Sequence, residues 1–127
     1  MALAKYMMGG GVAAGQAIAI NGGAATIAVT TAGLAGGKVP TAAVNIVTGA
    51  TGAGGFALTL PAGQPGDMVM VFNNDADTLD VFPPSGAAIA VVATGLGSAN
   101  AAYAQTTYSW CTYVCHSATQ WFVTKSA

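Results

Sequence analysis

From residue 17 onward the chain is a succession of short apolar and β-branched runs divided by clusters of Gly, Pro and Asn. The runs fall at 17–20, 26–31, 44–48, 56–60, 68–73, 78–82, 89–93, 108–115 and 120–124. Each is long enough for a strand and too short for a stable helix. Regularly spaced short strands with turn residues between them predict an all-β domain, a single small β-sandwich or β-barrel. Only 41–44 and 99–104 have room for helix, because neighbouring Gly and Thr offset the helix preference of Ala.

The clearest piece is 56–84. Phe56-Ala57-Leu58-Thr59-Leu60 alternates, Pro61 to Gly66 turns, and Asp67 to Asn73 forms a second strand. Asn74-Asp75-Ala76-Asp77 is a tight polar loop whose side chains can satisfy their own backbone. Thr78 to Phe82 is then expected to return antiparallel, as the second arm of a hairpin, before Pro83-Pro84-Ser85-Gly86 stops it. Residues 1–39 read as an extended N-terminal arm with the first short strands, and residues 40–127 as the β-domain. The first sixteen residues hold no period of 2 or 3.6 and are interrupted by Gly9, Gly10 and Gly11.

Composition sharpens this picture. The chain has 127 residues, enough for one domain, and is 54% hydrophobic but only 6% charged. Soluble domains devote about a quarter of their residues to charge. Such a shortage fits a membrane span, a disordered chain, or a folded protein whose surface is partly covered by copies of itself or by a partner. No charge lies between Lys5 and Lys38 or between Asp80 and Lys125. Gly, Pro and Asn nevertheless interrupt both stretches, and a spanning helix needs about 20 apolar residues in a row. Disorder disagrees with the aliphatic and aromatic content. The N-terminus has one cation and too short an apolar run for a signal peptide. A net charge of −1 without arginine supplies no footprint for nucleic acid. The expectation is a self-associating β-protein with neither membrane nor nucleic acid among its partners.

Candidate chemistry is sparse. Cys111 and Cys115 share one face of a strand about 13 Å apart, too far to bridge, and they read as buried small hydrophobes. His116 is the only histidine, so Cys-x-x-x-Cys-His cannot complete a zinc site. A catalytic role for it needs a nearby carboxylate, and all four lie between Asp67 and Asp80. Asp75, Asp77 and Asp80 lack the spacing and terminal Glu of a calcium loop. No glycine run is framed as a phosphate loop. Tyr108, Trp110, Tyr113, Trp121 and Phe122 read as core, with a sugar-binding patch as the alternative. No enzyme, cofactor or metal is expected.

Three segments carry a resemblance. Leu58-Thr59-Leu60-Pro61-Ala62 is followed by Pro65-Gly66-Asp67-Met68-Val69-Met70-Val71-Phe72-Asn73-Asn74 and then by Leu79-Asp80-Val81-Phe82-Pro83-Pro84-Ser85-Gly86. Asn100-Ala101-Ala102-Tyr103 and Val114 to Phe122 continue the similarity. About half the chain thus resembles a small β-domain of tailed-bacteriophage structural proteins, found in capsid decoration (cement) proteins, head fibres and tail fibres. The resemblance implies a non-enzymatic protein of the virion, made in the bacterial cytoplasm and placed on the outer capsid surface. It would assemble as a homo-oligomer, often a trimer, with the major capsid protein as partner. The alternative within the same resemblance is a receptor- or carbohydrate-binding module of a head or tail fibre. The chain departs from the pattern at 86–95, which is longer and more apolar and so suggests a contact region. The candidate contact residues are Tyr6, Met7 and Met8 in the arm and Ile89, Val91, Val92 and Leu96 beyond the turn.

Overall fold

In a computed structural model the protein is a β-sandwich, described here for residues 23–50, 56–91 and 95–126. Nine strands occur among them: β1 (Ala24–Ala28), β2 (Val44–Thr48), β3 (Ala57–Thr59), β4 (Met68–Asn73), β5 (Leu79–Phe82), β6 (Ala88–Ala90), β7 (Tyr103–Gln105), β8 (Trp110–Ser117) and β9 (Gln120–Lys125). They form a six-stranded sheet in the order β1-β2-β4-β8-β9-β6 and a three-stranded sheet in the order β3-β5-β7. The all-β expectation holds. The two segments with room for helix lead instead into β2 and into β7, and Asn100 at φ 62° sets the turn before β7.

The path of the chain corrects the expected hairpin. Strand β4 pairs with β2 and β8, whereas β5 pairs with β3 and β7. Asn74 to Asp77 is therefore a corner between sheets. From β2 to β8 the chain visits the two sheets in strict alternation, and this explains the parallel pairs β2/β4 and β3/β5. Parallel neighbours cannot be joined by a tight turn, so each connection runs through the opposite sheet. Only β8 and β9 are consecutive, antiparallel and adjacent. The corner is held by polar side chains. One oxygen of Asp75 accepts from the Gly49 N–H at 3.2 Å and the other from the Asp77 N–H at 3.3 Å. Asn73 Nδ2 donates to the Asp77 carbonyl at 2.8 Å.

The core lies between the sheets. Val47, Val69, Val71, Cys111, Tyr113, Cys115 and Trp121 come from the large sheet and meet Leu58, Leu79 and Val81 from the small one. Strand alternation selects these residues, since positions two apart share a face. The pattern in β8 is regular: Cys111, Tyr113 and Cys115 are buried while Trp110 and His116 are exposed. Both cysteines are buried and unbridged. Of the aromatic residues expected in the core, Trp121 and Tyr113 are fully buried, whereas Tyr108, Trp110 and Phe122 are exposed. The open edge of β3 is covered by the 32–38 segment, where the Thr59 N–H donates to the Lys38 carbonyl at 2.8 Å and Thr59 Oγ1 donates to the Leu34 carbonyl at 2.9 Å.

Candidate interaction surface

The outward face of the large sheet follows from its register. One row across it reads Thr26, Ile46, Phe72, Trp110. The next reads Ala24, Val44, Met70, Thr112, Thr124, and a third reads Met68, Val114, Phe122, Ala90. No position in these rows carries a charge. Phe72 and Trp110 stack with ring centroids 4.9 Å apart, tilted by 39°. Four large apolar side chains remain open to solvent here: Ile46 at 39%, Met68 at 49%, Trp110 at 40% and Phe122 at 39%. His116 stands at the margin, edge-on to Phe122 at 5.6 Å.

Shallow depressions flank this ridge. One of about 220 Å³ is lined by Ala24, Thr26, Val44, Ile46 and Trp110. Another of about 300 Å³ is lined by Ala90, Val91, Leu96, Phe122 and Val123. The described charges lie elsewhere. Asp67 precedes β4, Asp75 and Asp77 occupy the corner, Asp80 sits in the small sheet, Lys38 is in the loop over β3, and Lys125 ends β9.

The residues singled out as contacts separate. Ile89 is 6% exposed and packs in the core, and the little surface it keeps lies in a depression it lines with Val91, Gly97 and Tyr103. Val91 is half-buried and Leu96 is 65% exposed. These two share the depression with Phe122. Tyr6, Met7, Met8 and Val92 lie outside the described residues.

The chemical candidates do not converge. His116 points outward while Cys111 and Cys115 face the core. Burial raises both thiol pKa values, and it raises those of Tyr103 and, strongly, Tyr113. Raised thiols are poor nucleophiles at neutral pH. Asp75 spends its oxygens on backbone N–H groups, and Asp80 lies in register with Ala57 and Ala104 in the small sheet. No group of three or more His, Cys, Asp or Glu residues among those described could hold a metal. Among them no helix is long and apolar enough to cross a membrane.

The sequence reading missed Ile46, Met68 and Phe72 as surface residues. A signal was present: Met68-Val69-Met70-Val71-Phe72 is apolar at every position, the mark of a strand with two covered faces rather than one. Comparison with protein-family models, with curated proteins and with solved structures finds no match for this chain.

Proposed function

We propose that this is a non-enzymatic structural protein of a bacteriophage particle, a decoration protein that binds the outer surface of the head as an oligomer and stabilises it. The observation that carries the reading is the uncharged outer face of the six-stranded sheet, with Ile46, Met68, Trp110 and Phe122 open to solvent. A contiguous exposed apolar patch marks an interaction site. The buried thiols, the outward His116 and the scattered carboxylates supply no constellation for catalysis. The resemblance of 58–86, 100–103 and 114–122 to phage β-domains gives the association its setting: a homo-oligomer, a trimer on that resemblance, docked on the major capsid protein. Several weak contacts made together hold tightly through effective concentration.

A fibre module that binds a receptor or a carbohydrate is the second reading, favoured by one observation. Tyr108, Trp110 and Phe122 are exposed, and open aromatic faces suit sugar rings. The rows around Trp110 offer only threonine hydroxyls as polar partners.

The test is co-sedimentation of the purified protein with phage heads that lack it, together with a glycan array. Saturable binding that raises the disruption temperature of the heads supports decoration. Glycan binding without head binding replaces it with the fibre reading, and binding to neither overturns both.

A further inference from the structure

The proposed function leaves open which surface joins the copies. We infer that copies of this chain meet through the outer face of the six-stranded sheet, with Ile46, Met68, Phe72 and Trp110 at the centre of the contact. This rests on the reading of the protein as self-associating and adds the surface used.

Charge limits what the face can accept. Its rows contain Ala, Val, Ile, Met, Phe, Trp and Thr, and the one ionisable side chain on this side of β8, His116, stands at the margin beside Phe122. An ordinary soluble domain devotes about a quarter of its residues to charge, most of them at the surface. Pressed against this face, such a surface would strand its charges without partners or water. A charge-free surface is the matching one. This chain carries one, since its described charges sit at strand ends, in loops or in the small sheet.

Shape points the same way. The face carries both raised and recessed elements: Trp110, 40% exposed and stacked on Phe72, borders the depression lined by Ala24, Val44 and Ile46. A face that packs against the same face of other copies, paired about a two-fold axis or gathered around a three-fold one, must contain both. Met68 and Met70 add unbranched side chains that fill irregular gaps. Two sheets stacked about 10 Å apart interdigitate in this way, as the two sheets within the sandwich already do.

Lipid is the other apolar partner to weigh. Thr26, Thr112 and Thr124 are interspersed across the rows. Their hydroxyls can pair with groups at a protein interface, whereas hydrocarbon offers them nothing. A net charge of −1 also gives no attraction to anionic membranes.

The experiment is native mass spectrometry and sedimentation velocity on the full chain, with an Ile46→Lys/Met68→Lys double variant and Val39→Lys as control. Val39 is 50% exposed but lies in the loop before β2. The wild type and Val39→Lys are expected to associate at micromolar concentration. The double variant should dissociate at least 100-fold more readily, with an unchanged circular dichroism spectrum. A second readout needs no variant. Trp121 is fully buried within one chain and Trp110 is 40% exposed, so dilution of the wild type through its dissociation range should open Trp110 to acrylamide quenching. The inference is overturned by a monomeric wild type, by a double variant that stays associated, or by dissociation that leaves quenching unchanged. A wild-type monomer that associates only after residues 2–22 are removed gives the face to the chain's own N-terminal segment. A monomer that binds phosphatidylcholine vesicles gives it to lipid, and either result overturns the inference. Head binding separates the two claims: a protein that associates through this face without binding heads retains the inference and loses the decoration reading.

Discussion

Tyr113 on β8 donates its phenolic hydroxyl to Oε1 of Gln105 on β7 at 2.8 Å, a hydrogen bond between the two sheets in which both side chains are fully buried. Gln105 uses its Nε2 in turn, donating to the carbonyls of Val71 at 3.0 Å and Ser109 at 2.8 Å. One amide thus ties β7 to β4 and to the start of β8. Polar groups are tolerated at this depth because partners replace the water they lose.

Tyr113→Phe keeps the ring and removes the donor, leaving Gln105 Oε1 buried without that partner. A loss of about 1–3 kcal/mol is expected, the usual penalty for an unsatisfied buried acceptor. Urea denaturation followed by far-UV circular dichroism measures it. An unchanged midpoint would mean that the inter-sheet bond contributes nothing.

The two tryptophans should respond oppositely to truncation. Trp121 is fully buried between β6 and β8, so Trp121→Ala should destabilise the fold by about 3–5 kcal/mol. Trp110→Ala removes an outward side chain and should cost the isolated fold less than about 1 kcal/mol, its effect appearing in association. Thermal melts at a concentration where the chain is dissociated separate these terms, and equal losses would contradict the assigned faces.

Gly63 marks where the Pro61 to Gly66 turn passes over the core. A Cβ at this position would lie 2.7 Å from Cζ2 of Trp121 and 2.9 Å from Sγ of Cys115, both of them buried. Neither neighbour has free space to retreat into, so Gly63→Ala should cost about 1–3 kcal/mol by overpacking. The same change at Gly66, which meets nothing within 4 Å but has φ 94°, should act through backbone strain alone. Crystallography of Gly63→Ala would show a displaced Trp121 ring, and a neutral substitution would place the turn farther from the core.

Stability should fall in alkali. Burial raises the pKa of Cys111, Cys115, Tyr103 and Tyr113 in the folded chain, so the unfolded chain releases these protons first. The contribution is complete below the ordinary thiol value of about 8.5 and is lost as pH rises past it and past the ordinary tyrosine value of about 10. Denaturation midpoints from neutral to about pH 10.5 should decline accordingly. Cys111→Ala and Cys115→Ala should flatten the first part of that decline, and a midpoint that rises across the range would contradict the burial of these groups.

Much of the fold was legible because strands announce themselves locally. The runs at 44–48 and 68–73 are β2 and β4, and 120–124 falls one residue short of β9. The spacing of Cys111 and Cys115 correctly put both on one buried face, whereas Trp110, read as core, is exposed. Period and turn chemistry act over a few residues, so a sequence displays them directly. The short strand β7 was hidden, because Tyr103-Ala104-Gln105 carries no β-branched residue to distinguish strand from helix.

What the sequence determined by itself was an all-β chain with too few charges to cover its own surface. Which strand meets which was decided only by the tertiary structure. A tight polar loop such as Asn74 to Asp77 looks the same whether it closes a hairpin or turns a corner into the opposite sheet. The choice rests on contacts with Gly49, Val47 and Gln105, which are remote in the chain. The same holds for the faces. Phe72, Trp110 and Phe122 are as apolar as Trp121 and Tyr113, and hydrophobicity alone sends all five to the core. Register sends three of them outward, because a pleated strand gives its two faces to alternate residues and only the neighbouring strands determine which face is enclosed.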